Sequence, residues 1–247
     1  MYDLSFSSWV VAVLCASVLG MTKAGIAGLG MLAVPVMAGL FPTKVSMGIL
    51  LPLLIVGDIF AVLYYHRHAD WRLVVRLVPP AFAGVVVGSF VMDAISDSAL
   101  RVSVGLIVLT MVLLTVLRNR GVIPDERIPK GTVFSVCAGL LAGVTTMLAH
   151  AAGPVVQVYL LTMGLNKNQF IGTMAWFFLL LNCFKVPFYI GLGLINGGSL
   201  FLNLHIAVGI PLGVIVGIWV VRLVSNRAYV IWVQGLAAIA AVRLMFG

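Results

Sequence analysis

The chain has 247 residues, 62% of them hydrophobic and 9% charged, with a formal net charge of +8 and a mean hydropathy of +1.19. A soluble core of this length could not hide so much apolar sequence, so the composition predicts an all-helical, polytopic membrane protein. A sequence pI of about 9.8 would suggest nucleic acid in a soluble domain. Here, however, the basic residues lie in short loops between apolar runs, where they report topology.

The N-terminal stretch carries Asp3 and neither Lys nor Arg ahead of the first apolar run, unlike a secretory signal peptide, and is expected to be retained. The first apolar segment, about Leu4 to Phe41, is too long for one crossing of roughly 20 residues and a little short for two. It is interrupted between Gly20 and Pro35 (GMTKAGIAGLGMLAVP), which predicts a hairpin of two short helices with its tip near Thr22 to Gly30. Three segments of ordinary span length follow, about Val45 to Tyr64, Leu73 to Met92 and Ala99 to Leu117. The polar stretch Arg118 to Lys130 is the boundary between halves. A second interrupted segment, about Gly131 to Met163, is broken within Gly143 to Val158 (GVTTMLAHAAGPVVQV); Phe170 to Ile190, Leu200 to Leu223 and Ala228 to Phe246 complete the pattern. The whole reads as one transmembrane domain, with a repeat over 1–117, a cytoplasmic linker over 118–130 and a second repeat over 131–247.

The recurrence extends to individual residues. Thr22 and Gly30 match Thr145 and Gly153 at an offset of 123 (145 − 22 and 153 − 30), and Gly48, Asp58 and Tyr65 match Gly172, Asn182 and Tyr189 at 124 (182 − 58). The pair Gly84/Gly88 matches Gly213/Gly217 at 129 (213 − 84), and both pairs are expected to let helices pack closely. If both interrupted segments return to their starting side, Arg67, Arg72, Arg76, Arg118, Arg120, Arg127, Lys130, Lys167, Arg222 and Arg227 share one side, against Lys44, Arg101 and Arg243 on the other. Single crossings would weaken that split to eight against five. The positive-inside rule therefore predicts hairpins, both termini outside and two repeats inverted in the membrane. Two full crossings per interrupted segment would give the same parity, so re-entrant and fully crossing hairpins stay equally open.

The glycine-rich break ending in proline (Gly25, Gly28, Gly30, Pro35), the turn Gly39-Leu40-Phe41-Pro42, and the loop Arg67 to Trp71 with Pro80, Gly84 and Gly88 resemble the sulfite exporter TauE/SafE family. The second half contributes Gly139, Gly143, Gly153, Gly164-Leu165 and Gly172-Thr173, so the resemblance covers nearly the whole chain. It implies an exporter of a small anion, sulfite or an organosulfonate such as sulfoacetate, in a bacterial inner membrane. The second break departs from the family's glycine run, because His150, Ala151 and Ala152 precede Gly153.

Backbone that leaves a helix inside a bilayer must be satisfied by protein or by a water-filled cavity, so paired breaks mark a binding site. The helices restarting near Gly28 to Gly30 and near Gly153 to Pro154 present N–H groups and partial positive charge, which suits a carboxylate or sulfonate. Lys23, flanked by apolar sequence on both sides, is either an anion-binding cation or a tip lysine snorkelling to the interface. The expected substrate contacts are Lys23, Thr22, Gly25, Gly28 and Gly30 in the first half, and Thr145, Thr146, His150, Gly153 and Gln157 in the second. Threonine hydroxyls have the alternative of bonding their own helix. Asp58, the one acid deep in an apolar span, with Asn182 as repeat-mate and Lys185 nearby in sequence, is a candidate for coupling; the competing reading is an Asp58–Lys185 pair that locks the bundle.

Cys15, Cys137 and Cys183 lack metal or disulfide spacing and are expected to be small buried residues, while Tyr159, Tyr65 and Tyr189 are lesser site candidates, with interfacial anchoring the commoner role of tyrosines near span ends. No nucleotide-binding loop, HExxH or catalytic triad is present, so no catalytic residue, metal or cofactor is expected. An intramembrane enzyme using Asp58 and His150, or an anion channel, are the alternatives. The expected partners are a small anionic substrate and the lipid bilayer, with a homodimer as a possible assembly and no nucleic acid.

Overall fold

The computed structural model describes residues 5–23, 30–122, 131–161 and 163–223, together with 235, 238, 239, 242, 245 and 246. The described residues form ten α-helices and one 3-10 turn, without strands. In chain order the first half holds α1 (Phe6–Lys23), α2 (Gly30–Leu40), α3 (Thr43–Tyr65), the 3-10 turn His66–His68, α4 (Trp71–Ala94) and α5 (Asp97–Asn119). The second half holds α6 (Thr132–Ala149), α7 (Gly153–Leu161), α8 (Lys167–Gly191), α9 (Gly197–Ile206) and α10 (Gly209–Leu223). Seven stretches among them are long and apolar enough to cross a membrane, which makes the chain a multi-pass membrane protein. The final apolar segment expected from Ala228 to Phe246 lies mostly outside the described residues.

Each interrupted segment is a long helix followed by a short one, rather than two equal short helices. α1 has 18 residues and α2 has 11; α6 has 18 and α7 has 9. At 1.5 Å per residue the first helix of each segment reaches about 27 Å and the second only about 14–16 Å. A second difference falls in the segment expected to run unbroken from Leu200 to Leu223, which divides into α9 and α10 at Ala207–Val208. Pro211 explains it: the ring offers no N–H to the carbonyl of Ala207, four residues back, and would clash with it in a continuous helix. That carbonyl instead accepts from Ile210 N at 2.9 Å.

The bundle is held by backbone contacts that only glycine permits. A Cβ on Gly143 of α6 would enter the backbone of α4 at Ala81 and Gly84, and one on Gly84 would meet Leu140 and Gly143 in return. The same arrangement recurs between α1 and α10, where a Cβ on Gly20 would strike the carbonyl of Ile210 and one on Gly213 the carbonyl of Ser17. The partners are related by the offsets seen in the sequence, 123 (143 − 20, 140 − 17) and 129 (210 − 81, 213 − 84). Close packing was the expected role of the pairs Gly84/Gly88 and Gly213/Gly217. Gly88 lies against Met147.

α3 and α8 lie side by side in opposite directions. Near one end Trp176 Nε1 donates to His66 O at 3.4 Å and the backbone N–H of Asp70 donates to Thr173 Oγ1 at 2.9 Å. Near the other, Gly48 lies against Leu194. α3 has no side-chain cap of its own; Asp97 at the start of α5 accepts from Thr43 N at 3.1 Å and Lys44 N at 2.8 Å, which places a carboxylate at the positive end of the helix.

Candidate functional site

α1 ends on Lys23 inside the bundle, and the ammonium lies 2.5 Å from Asp58 Oδ1 on α3. The lysine stem crosses the face of α3 at Gly57, where a Cβ would stand 3.1 Å from Lys23 Cγ. Phe178 of α8 covers the ammonium from 5.5 Å, a cation–π contact worth more when dry than at a surface. Asp58 is 1% exposed and the Lys23 side chain 14%, so Lys23 is a bundle cation and does not snorkel to an interface. The second carboxylate oxygen of Asp58 accepts from Asn182 Nδ2 at 2.7 Å. These two residues are 124 apart (182 − 58), so Asp58 bonds its own repeat-mate. Asn182 Oδ1, also buried, has no hydrogen-bond partner among the described residues.

One turn further along α8, Lys185 is 0% exposed. It shares a helix face with Asn182 because residues three apart nearly align. Its ammonium donates to Thr146 O at 3.2 Å, Thr146 Oγ1 at 3.1 Å and His150 Nδ1 at 3.0 Å. His150 closes α6 in the left-handed conformation, with φ of 48°. Its Nε2 faces the carbonyl of Met47 at 3.1 Å. A carbonyl only accepts, so Nε2 carries the proton and the neutral ring leaves Nδ1 free to accept from Lys185. Tyr189 donates to Met147 O at 2.8 Å and is fully buried, so it pins α8 to α6 and is not an interfacial anchor.

The expected Asp58–Lys185 ion pair is replaced by Asp58–Lys23, the one salt bridge among the described residues. Lys185 thus has no carboxylate within 4 Å among them. The hydroxyl of Thr22 donates to Leu19 O at 2.6 Å and that of Thr145 to Leu141 O at 2.7 Å, so both serve their own helices. Thr146 alone of the three reaches a residue of another helix through its side chain. Gly30 and Gly153 begin α2 and α7, and a Cβ on Gly153 would meet nothing within 4 Å among the described residues. Gln157 is half-buried on α7. Gly25 and Gly28 lie outside the described residues. Asp58 and His150 bond different partners rather than each other. Cys15 is buried as expected, but Cys137 and Cys183 are exposed, because an apolar span facing lipid accepts a small apolar side chain as readily as a core does.

Gly57 was not singled out from the sequence, and Lys185 was singled out for coupling or for pairing with Asp58 rather than as a lysine held by neutral groups. Gly57 carries no signal beyond standing next to Asp58. The prominence of Lys185 was legible in principle, since a lysine three residues after Asn182 on an apolar helix has no acid within reach on its own helix.

The model of the family described as sulfite exporter TauE/SafE matches residues 12–244. The chain belongs to that family. Comparison with curated proteins and with solved structures found no match. Membership in TauE/SafE implies export of sulfite or a related sulfur anion, and makes this a multi-pass transporter. In this TauE/SafE chain the breaks after α1 and α6 lead to two polar groups, Lys23–Asp58–Asn182 and Thr146–Lys185–His150, joined through one turn of α8.

Proposed function

We propose that this chain is a secondary transporter that exports sulfite or an organosulfonate across the bacterial inner membrane, with its substrate held where the two interrupted segments overlap. The observation that carries the reading is a fully buried lysine, Lys185, whose hydrogen-bond partners among the described residues are all neutral groups at the end of a broken helix. A buried cation costs several kcal/mol unless a counter-charge completes it, so such a group is a resting place for an anion. Thr146 and His150 bond that lysine, and we assign Gly153, three residues after His150, and Gln157, one turn further, to the second-half side of the site; Lys23, Thr22 and the helix start near Gly30 are assigned to its first-half side, with Gly25 and Gly28 added by sequence. Asp58 and Asn182 couple the halves.

Support for two inverted repeats, 1–117 and 131–247, comes from the antiparallel run of α3 beside α8 and from the bond between repeat-mates Asp58 and Asn182. Two equivalent residues touch each other where a two-fold axis passes between them. The charge distribution favours both termini on the periplasmic side and 118–130 in the cytoplasm. In a background lacking Cys137 and Cys183, Tyr2→Cys and Gly247→Cys are each expected to react with an impermeant thiol reagent in intact cells. Protection of both would reverse the topology. The transport reading is tested by counterflow in proteoliposomes: labelled sulfite is expected to accumulate against unlabelled sulfite inside, and no exchange of sulfite, sulfoacetate or thiosulfate above protein-free liposomes would sink it.

A further inference from the structure

We propose that the transported species is a singly charged anion whose charge completes Lys185, so that hydrogensulfite and simple sulfonates are carried in preference to doubly charged anions. The inference rests on the transporter reading above and narrows its substrate class.

It follows from an inventory of charge. The chain has seven acids, Asp3, Asp58, Asp70, Asp93, Asp97, Asp125 and Glu126. Of the described ones, Asp70 caps α4, Asp97 caps α3 and Asp93 lies exposed near the end of α4. Asp3 lies near the N-terminus, and Asp125 and Glu126 in the polar stretch between the halves. Asp58 is the acid of the bundle interior, and both its oxygens are engaged, one by Lys23 and one by Asn182. Neither interrupted stretch, Gly20 to Pro35 nor Gly143 to Val158, contains an acid. Among the described residues Lys23 and Asp58 therefore cancel, His150 is neutral, and Lys185, when protonated, leaves the interior with one positive charge.

The three acceptors around Lys185 are neutral: a carbonyl, a hydroxyl and an imidazole nitrogen. The negative end of the α6 dipole offsets part of the charge, at most about half an elementary charge. One monoanion brings the site to neutrality. A dianion turns it net negative and leaves a charge in the low-dielectric interior without a partner, which is the situation that costs most there. A Cβ on Gly153, at the start of α7 and three residues after His150, would meet nothing within 4 Å among the described residues.

The test compares anions of similar size and fixed charge at one pH. In proteoliposomes holding the full chain, methanesulfonate is expected to inhibit labelled sulfite counterflow, with sulfate and thiosulfate weaker by about tenfold or more. Lys185→Gln is expected to lose that inhibition and Lys185→Arg, which keeps the charge, to retain it. Sulfate or thiosulfate inhibiting as strongly as methanesulfonate would overturn the inference while leaving the transporter intact, and so would Lys185→Gln exchanging sulfite with unchanged affinity. Absence of exchange with every anion would instead remove the transporter reading itself. The competition series uses the unaltered protein, so misfolding of either variant does not affect it.

Discussion

Lys23→Met is expected to destabilise the protein by about 3–5 kcal/mol, the usual consequence of breaking a buried ion pair by removing one partner. Asp58 is 1% exposed, and without Lys23 its carboxylate keeps only the amide of Asn182. Surface screening does not soften the loss, because water does not reach the acid. The double variant Lys23→Met/Asp58→Asn should recover most of the stability: it removes both charges, keeps the lysine stem's volume across Gly57 and allows an amide–amide bond to Asn182. Unfolding of the detergent-solubilised protein by heat or denaturant reads both effects, and a single variant as stable as the parent would show that the pair does not hold α1 to α3. The double variant also separates two roles for Lys23. Retained sulfite exchange means that Lys23 locks the bundle and Lys185 receives the anion, whereas lost exchange in a folded double variant returns the anion to Lys23.

Gly143→Ala and Gly20→Ala should each cost about 1–3 kcal/mol, although a single methyl group is added. In both cases the new Cβ would enter the backbone of a neighbouring helix, α4 at Ala81 or α10 at Ile210. Backbone cannot rotate aside as a side chain can, so the helices must separate along their shared face and lose the contacts on either side. Gly39→Ala is the control: nothing among the described residues lies within 4 Å of its Cβ position, and alanine in an open helical position gains roughly 0.5–1 kcal/mol over glycine. Equal losses at Gly143 and Gly20 with none at Gly39, measured by the same unfolding assay, would establish that the α4–α6 and α1–α10 seams are equivalent. A tolerated alanine at either seam would show that the helices there are farther apart.

The all-helical membrane class, the spans other than Leu200 to Leu223 and Ala228 to Phe246, and the positions of both breaks were legible in the amino-acid sequence. Each depends on local composition within a window of about 20 residues, which is the length over which a bilayer constrains a helix. Glycine pairs pointed to close packing for the same reason, and the threonine alternative of bonding the home helix held at Thr22 and Thr145 because the acceptor carbonyl is three or four residues away. What the tertiary structure decided was the pairing of charges. Two lysines, Lys23 and Lys185, compete for one acid, and Lys185 is closer in sequence to Asn182, the repeat-mate of Asp58. Yet α1 stops where its last residue meets α3, at a face that Gly57 leaves open, while the end of α6 brings Thr146 and His150 over Lys185. Those choices depend on where three helices from separate parts of the chain end relative to one another. Hydropathy and spacing along one segment do not encode the depth at which a neighbouring helix breaks, and here that depth determines which ammonium remains without a counter-charge.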